Sequence, residues 1–406
     1  MHWITALAVF FALAVMWGST LNSASLFITP MQASLGATRA EMVIGVTVKG
    51  VGSIIGSFFC ANILKRLKVL RVLRIGGLLL VGSVFALSLV QNISQYYLVL
   101  AIQSIVISVG GYIPMSIIIQ NWFEKKTPVV MGIAFMGSGF GGIIYNWLGG
   151  IWIPRLGWRQ TYVLFSIITL VVLLITLSIV RSTPFHFGLR PLGAEEGNEV
   201  KNESGEQKSL AGAKIKEELK SARFWMLLLA IFLISMGSDA LFYNVSPHLI
   251  DTGYSLTVAA RISSAMMVFL MLGKPIVGYL FEMLGLKLAS IISTLLMIIG
   301  LISAVFISRS FFIITLVIGA GVGFASLSVS FPTYASKLYG ARDYANFSSC
   351  LQIANSVGKI VGPLIVGALF SRTGSYTSSF YVALLYNVIV LLIWLFVLPK
   401  RGREPY

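Results

Sequence analysis

Apolar runs of about twenty residues recur along the chain, separated by short polar breaks. Each is long enough to cross a ~30 Å hydrocarbon layer as a helix. The pattern predicts twelve helices, at 4–30, 42–64, 70–90, 96–120, 128–152, 160–181, 224–249, 258–281, 288–307, 311–336, 346–370 and 376–398. The short alternating strands of an outer-membrane barrel are absent. The first run has no basic leader and turns polar in its second half, through Gly18, Ser19, Thr20, Asn22 and Ser23. It reads as a retained helix and not as a cleaved signal. The stretch 183–222 breaks the rhythm. It holds Glu195, Glu196, Glu199, Glu203 and Glu206 among Gly, Asn, Ser and Lys, the composition of a solvated linker, with a short surface helix expected over 215–219.

A shift of 217 residues brings punctuating residues into coincidence without gaps. Pro30 meets Pro247, Gly36 meets Gly253, Gly141 meets Gly358, Arg155 meets Arg372 and Gly157 meets Gly374. Because Gly and Pro fix backbone geometry, shared Gly and Pro mean shared bends. The expectation is an all-α membrane protein of twelve transmembrane helices in two parallel-related six-helix bundles. The bundles occupy 1–182 and 223–406, joined by a cytoplasmic linker at 183–222. Substrate sites in proteins of this kind lie near the bilayer midplane.

Composition agrees: 57% of residues are hydrophobic and only 11% are charged, against about 25% in a soluble domain. A net charge of +16 would fit nucleic acid, but its distribution points elsewhere. With both termini in the cytoplasm, 21 of the 30 Lys and Arg fall on the inner side, six on the outer side and three inside helices. That bias is the positive-inside signal of a multi-pass protein of a cell inner membrane. No nucleic-acid partner is expected. Cys60 and Cys350 lie in apolar runs and outline neither a disulfide framework nor a zinc site.

The loop after the eighth helix reads Gly278-Tyr-Leu-Phe-Glu282-Met-Leu-Gly285-Leu-Lys287. It resembles the G-x-x-x-D/E-x-x-G-x-K/R loop of the major facilitator superfamily. The equivalent after the second helix departs from it, with Lys65 at the acidic position and Lys68 at the glycine. Other segments resemble the oxalate/formate antiporter and monocarboxylate transporter group. They are Asn121-Trp122-Phe123-Glu124-Lys125-Lys126, the glycine-rich stretch from Gly132 to Gly142, Leu156-Gly157-Trp158-Arg159, Arg223-Phe224-Trp225 and Pro247-His248-Leu249. The resemblance implies a secondary transporter of small organic anions, mono- or dicarboxylates, working by alternating access.

Four charged residues fall within helices: Lys49, Asp239, Lys274 and Lys359. A charge at bilayer depth costs ~3 kcal/mol or more, so such residues face cavities and serve function. Lys274 and Lys359 sit midway along their helices. Lys49 lies close enough to the outer end of its helix to snorkel, and is otherwise an additional anion contact. Two midplane cations against one acid favour an anion. The repeat partners of Lys274, Lys359 and Asp239 are Ser57, Gly142 and Asn22, so these charges are not shared scaffold. In the resembled group, basic residues on the eighth and eleventh helices bind carboxylates, and Lys274 and Lys359 match them. Lys at the first position replaces the group's Arg, which loosens geometric selectivity.

Gln352, Asn355 and Lys359 share one helix face, as do Ser235, Asp239 and Tyr243, and Ser326, Ser330 and Tyr334. Asn22, Tyr112, Gln120, Tyr145 and Asn146 are candidate donors from the first bundle. Each stripe has an alternative role in interhelical hydrogen bonding. Asp239 has two open roles: counter-ion to Lys274 or Lys359 in the empty site, or proton carrier. No Walker A run occurs, and His2, His186 and His248 lack ligand spacing, so neither an enzyme nor a metal or cofactor is expected. The partners expected are a small carboxylate and the lipid bilayer, with the protein a monomer. The competing reading is a proton-coupled exporter of drugs or other small molecules, which would need acid in excess.

Overall fold

The computed structural model describes residues 1–194, 212–307, 309–402 and 405; Glu195, Glu196, Glu199, Glu203 and Glu206 of the expected linker lie outside the described residues. Among the described residues the secondary structure is helical, with two isolated β-bridges and no sheet. Among the described residues, eleven continuous helices are long and apolar enough to cross a membrane. One of them, Leu256–Val305, contains two spans, because Gly285 (φ 73°, ψ 178°) breaks it. That conformation is open essentially to glycine alone. Twelve spans result: α1 (His2–Leu35), α2 (Arg39–Arg66), α3 (Val69–Ser88), α4 (Ile93–Trp122), α5 (Thr127–Leu156), α6 (Trp158–Ile179), α7 (Ala222–Asp251), α8 (256–284), α9 (286–305), α10 (Ser310–Tyr339), α11 (Tyr344–Thr373) and α12 (Thr377–Val397). A short helix covers Ile215–Glu218.

Two helices differ from the sequence expectation. α1 passes through a π-helical turn at Gly18–Asn22 before continuing as Ala24–Leu35. α4 is interrupted at Gly111, which separates Ile93–Gly110 from Tyr112–Trp122. A Cβ on Gly111 would meet the Trp17 ring and the Ile107 carbonyl oxygen. At the start of α2, Thr38 and Glu41 form a reciprocal capping box. Its hydrogen bonds from Thr38 hold the Glu41 carboxyl below its ordinary pKa.

The chain divides into two compact units, Met1–Ala211 and Gly212–Tyr406. In the first, α1 packs on α5 and α6, α2 on α4, and α3 on α4 and α6. In the second, α7 packs on α11 and α12, and the α8–α9 pair packs on α10 and α12. The repeat is visible in the backbone: Gly36 and Gly253 both take positive φ after an equivalent helix (61° and 97°). It is visible in packing too. A Cβ on Gly141 would collide with the Ala14 backbone, and one on Gly358 would lie 2.6 Å from the Phe232 carbonyl oxygen. Missing Cβ atoms thus let α1 lie on α5, and α7 on α11, at backbone distance.

Each unit is apolar outside, and it also buries polar groups within an apolar core. Phe58, Trp147, Phe311, Leu364 and Phe396 are exposed, while Gln103, Asp239, Lys274, Asn355 and Asn387 are buried. Exposed apolar side chains on helices whose backbone bonds are internally satisfied suit a lipid solvent. Buried hydroxyls turn back to helix carbonyls, as Ser19 does to Val15 (2.7 Å) and Thr333 to Val329 (2.7 Å). Two cations from resembling motifs close the end of α12. Lys287 Nζ donates to the Leu395 carbonyl oxygen (2.6 Å) and Arg223 Nε to that of Val397 (2.6 Å). Positive charge suits the negative end of that helix dipole.

Candidate functional site

In the second unit the charges gather around α7. Ser235, Asp239 and Tyr243 follow one another at one-turn spacing, and the stripe runs from fully buried Ser235 to Tyr243, which is 63% exposed. Ser235 Oγ donates to Asn355 Oδ1 on α11 (2.9 Å). This bond and the close approach at Gly358 fix α11 against α7, and so fix the base of Lys359. Lys359 itself is half-buried, as is Gln352. Asp239 is 2% exposed, and its Oδ1 has no hydrogen-bond partner among the described residues. Lys359, on the α11 helix that packs on α7, is the cation near enough to act on it electrostatically. Among the described residues no ion pair within 4.0 Å joins the two.

Lys274 lies on α8 and is 4% exposed. Its neighbour Gly273 admits the Val322 and Ala325 region of α10: a Cβ there would stand 2.9 Å from each. α7 packs against the α8–α9 pair as well as against α11. Asp239 therefore sits on the helix that touches both lysine-bearing elements.

The first unit repeats this arrangement without charge. Gly142, the repeat partner of Lys359, lies against Asn22, the partner of Asp239: a Cβ on Gly142 would be 2.8 Å from Asn22 Nδ2. Two neutral positions in contact in one unit thus correspond to the acid and lysine of the other. Asn22 Nδ2 donates to the Ser138 carbonyl oxygen (2.6 Å), and Asn146 Nδ2 donates to those of Asn22 (3.0 Å) and Gly142 (2.7 Å). Tyr112 OH donates to Ser138 Oγ (3.1 Å), and the Tyr112 ring lies 4.1 Å from that of Trp17. Tyr145 is buried with its hydroxyl on Thr169 Oγ1 (2.8 Å). Gln120 is half-buried, with Nε2 unpartnered among the described residues. Lys49 Nζ donates to the Thr20 carbonyl oxygen (2.9 Å) in the π-helical turn. Its ammonium is thus turned onto α1 and does not snorkel.

Tyr334 is buried, with its hydroxyl on Ser290 Oγ (2.6 Å). Both line a narrow crevice with Ser293, Thr294, Ser326 and Ser330, and neither lysine is among its lining residues. Ser138 and Ser290 are the polar residues that sequence reasoning missed. Ser138 stood inside a glycine-rich run read for packing, yet its repeat partner is Asn355. Chemically, the helix interiors of the second unit set Lys274 and Lys359 against Asp239, away from the charged helix ends. That balance suits an anion, and the acid can neutralise a lysine when no anion is bound.

Comparison with known proteins bears on the family and the fold. The family profile described as Major Facilitator Superfamily matches residues 5–280 and 227–406. Monocarboxylate transporter 13 of Rattus norvegicus is 24% identical over 392 residues, covering 94% of this chain and 85% of the relative. The Bos taurus protein of the same name is 24% identical over 393 residues, with the same coverage. The solved structure of the proton:xylose symporter XylE bound to 6-bromo-6-deoxy-D-glucose superposes with a TM-score of 0.75 at 13% identity. It covers 98% of this chain and 96% of its own. FucP in the outward conformation gives 0.73 at 14%, covering 97% and 98%. At such identities the structural likeness speaks for the fold alone.

Proposed function

The chain belongs to the major facilitator superfamily, and from that premise we propose that this multi-pass transporter carries a small organic anion, a mono- or dicarboxylate, by alternating access. The observation that carries the proposal is the charge balance in the helix interiors of the second unit, where Lys274 and Lys359 outnumber Asp239. The relatives named monocarboxylate transporter 13 support the same substrate class. Lys359 and Lys274 bind the carboxylate, with Asn355 and Gln352 beside Lys359. Tyr112, Gln120, Asn146 and Asn22 are the candidate hydroxyl and amide contacts, and Tyr145 and Tyr334 join them only by exchanging their bonds to Thr169 and Ser290. Lys49 joins them only by exchanging its bond to the Thr20 carbonyl. Asp239 is the counter-ion of Lys359 in the empty site and releases it to the substrate.

The proposed arrangement has bundles at 1–182 and 223–406, a linker at 183–222, both termini in the cytoplasm, and a monomer in the cell inner membrane. The charge bias of the loops supports that orientation. The test is a thermal-shift panel of mono- and dicarboxylates on the purified protein, followed by counterflow of the best ligand in proteoliposomes. A ligand that binds the folded state raises its apparent stability. Stabilisation by carboxylates and their counterflow are expected. Stabilisation by organic cations alone, with proton-driven efflux, would overturn the proposal in favour of a drug exporter.

A further inference from the structure

The described ends of the linker dock on the two units at positions that the 217-residue repeat makes equivalent. At the start, Leu192 N–H donates to the carbonyl oxygen of Trp122, the last residue of α4 (2.9 Å), and Leu192 forms a β-bridge with Phe123. At the finish, Ala213 N–H donates to the carbonyl oxygen of Tyr339, the last residue of α10 (2.9 Å), and Gly212 forms a β-bridge with Gly340. Trp122 and Tyr339 are repeat partners, as are Phe123 and Gly340. The last carbonyls of a helix have no partner within it. Here the linker backbone supplies the partner at both helix ends.

Each dock has further support. Trp122 Nε1 donates to the Arg181 carbonyl oxygen (2.8 Å), Asn121 Nδ2 to that of Ser182 (3.0 Å), and Glu124 N–H to that of Leu192 (3.0 Å). On the other side, Ile215 N–H donates to Asp343 Oδ2 (2.9 Å), and the Tyr339 ring stacks on Phe347 at 4.0 Å. Both docks require glycine. Gly193 (φ 92°) lies against Lys125 and Gly212 (φ 155°) against the Tyr339 carbonyl, where a Cβ would stand 2.6 Å from each. Both docked helix ends also lie beyond a weakness in their own helix. The Gly111 interruption isolates Tyr112–Trp122, which carries Tyr112 and Gln120. Pro332, which lacks an N–H for the helix ladder, precedes 333–339 and Tyr334.

We propose that the linker is a two-point strap, whose docked ends hold the hinged terminal segments of α4 and α10 in place and control their freedom to move. The work of the linker is then done by 181–194 and 212–215, and not by the length of chain between them.

Hydrogen exchange read by mass spectrometry on the full-length protein in nanodiscs tests this, and it measures no transport, so the outcome is independent of the proposed substrate. Leu192→Pro removes the donor to Trp122, and Ala213→Pro removes the donor to Tyr339. Each should speed exchange in its own segment, 112–122 or 333–339, by roughly fivefold, the factor that one lost hydrogen bond corresponds to. The other unit should remain unchanged. Gly193→Val and Gly212→Val, which strain the same turns through the side chain, should give the same two patterns. A Gly-Ser insertion within 195–211 should change neither segment. Unaltered exchange in 112–122 and 333–339, acceleration spread evenly over a whole unit, or an equal effect of the insertion would each overturn the strap.

Discussion

Removing the cation that acts on Asp239 is the most direct perturbation of the proposed site. Lys359→Gln leaves a carboxylate that is 2% exposed, with one oxygen unpartnered among the described residues, beside a neutral amide. Two unit charges 4 Å apart exchange about 4 kcal/mol at an effective dielectric of about 20. No ion pair within 4.0 Å joins Asp239 and Lys359 among the described residues, and Lys359 is half-buried, so that figure is a ceiling. A destabilisation of about 2 kcal/mol is expected, with the protein still folded. Adding Asp239→Asn removes the stranded charge. The double variant should therefore be more stable than the sum of the single variants predicts, by about 2 kcal/mol. Unfolding of the four proteins, read by intrinsic tryptophan fluorescence, supplies the cycle. Carboxylate binding should be lost in both proteins that carry Lys359→Gln. In Asp239→Asn alone, exchange should survive better than net uptake, because the empty carrier lacks its counter-ion. A coupling below about 0.5 kcal/mol, or normal counterflow in Lys359→Gln, would refute the pairing or the site.

Lys274→Arg should retain carboxylate exchange at least in part, since it restores the residue of the resembled group, whereas Lys274→Met should abolish it; counterflow distinguishes the two. Gly141→Ala should destabilise the first unit by about 1–3 kcal/mol through overpacking against the Ala14 backbone. Gly150→Ala, where a Cβ meets nothing within 4 Å, should not destabilise it; thermal unfolding of the pair checks this. Glu41 offers a pH-dependent contrast. Thr38 lowers its folded pKa, so its contribution is present above the unfolded carboxylate value of ~4.3 and is lost as pH falls through the lower folded value. The Thr38 backbone N–H and hydroxyl both donate to that carboxylate, the backbone bond being the larger cause. In Thr38→Ala the loss on acidification should therefore shrink without vanishing, and an unchanged stability profile would refute a hydroxyl contribution.

Helix number and the pairing of halves were legible in the chain because both are local properties. A span needs only a run of apolar residues, and a shared bend needs only the same Gly or Pro at the same offset. The break between α8 and α9 could be anticipated for that reason, since Gly285 adopts a backbone conformation that other residues avoid. The π-helical turn at Gly18–Asn22 and the interruption at Gly111 escaped notice, because the apolar pattern runs on through both. The candidate polar residues were also visible one by one, but not their partners. Periodicity put Asp239 on a face of α7 and left Lys274 and Lys359 equally available to it. Packing at Gly358, with the bond from Ser235 to Asn355, brings α11, and Lys359 with it, onto α7 at that level. The hydroxyls of Tyr145 and Tyr334 read as free donors in the sequence and are engaged with Thr169 and Ser290. Residue spacing fixes which side chains share a face. Which neighbouring helix that face meets, and at what height, depends on contacts between residues far apart in the chain, and only the folded helices decide it.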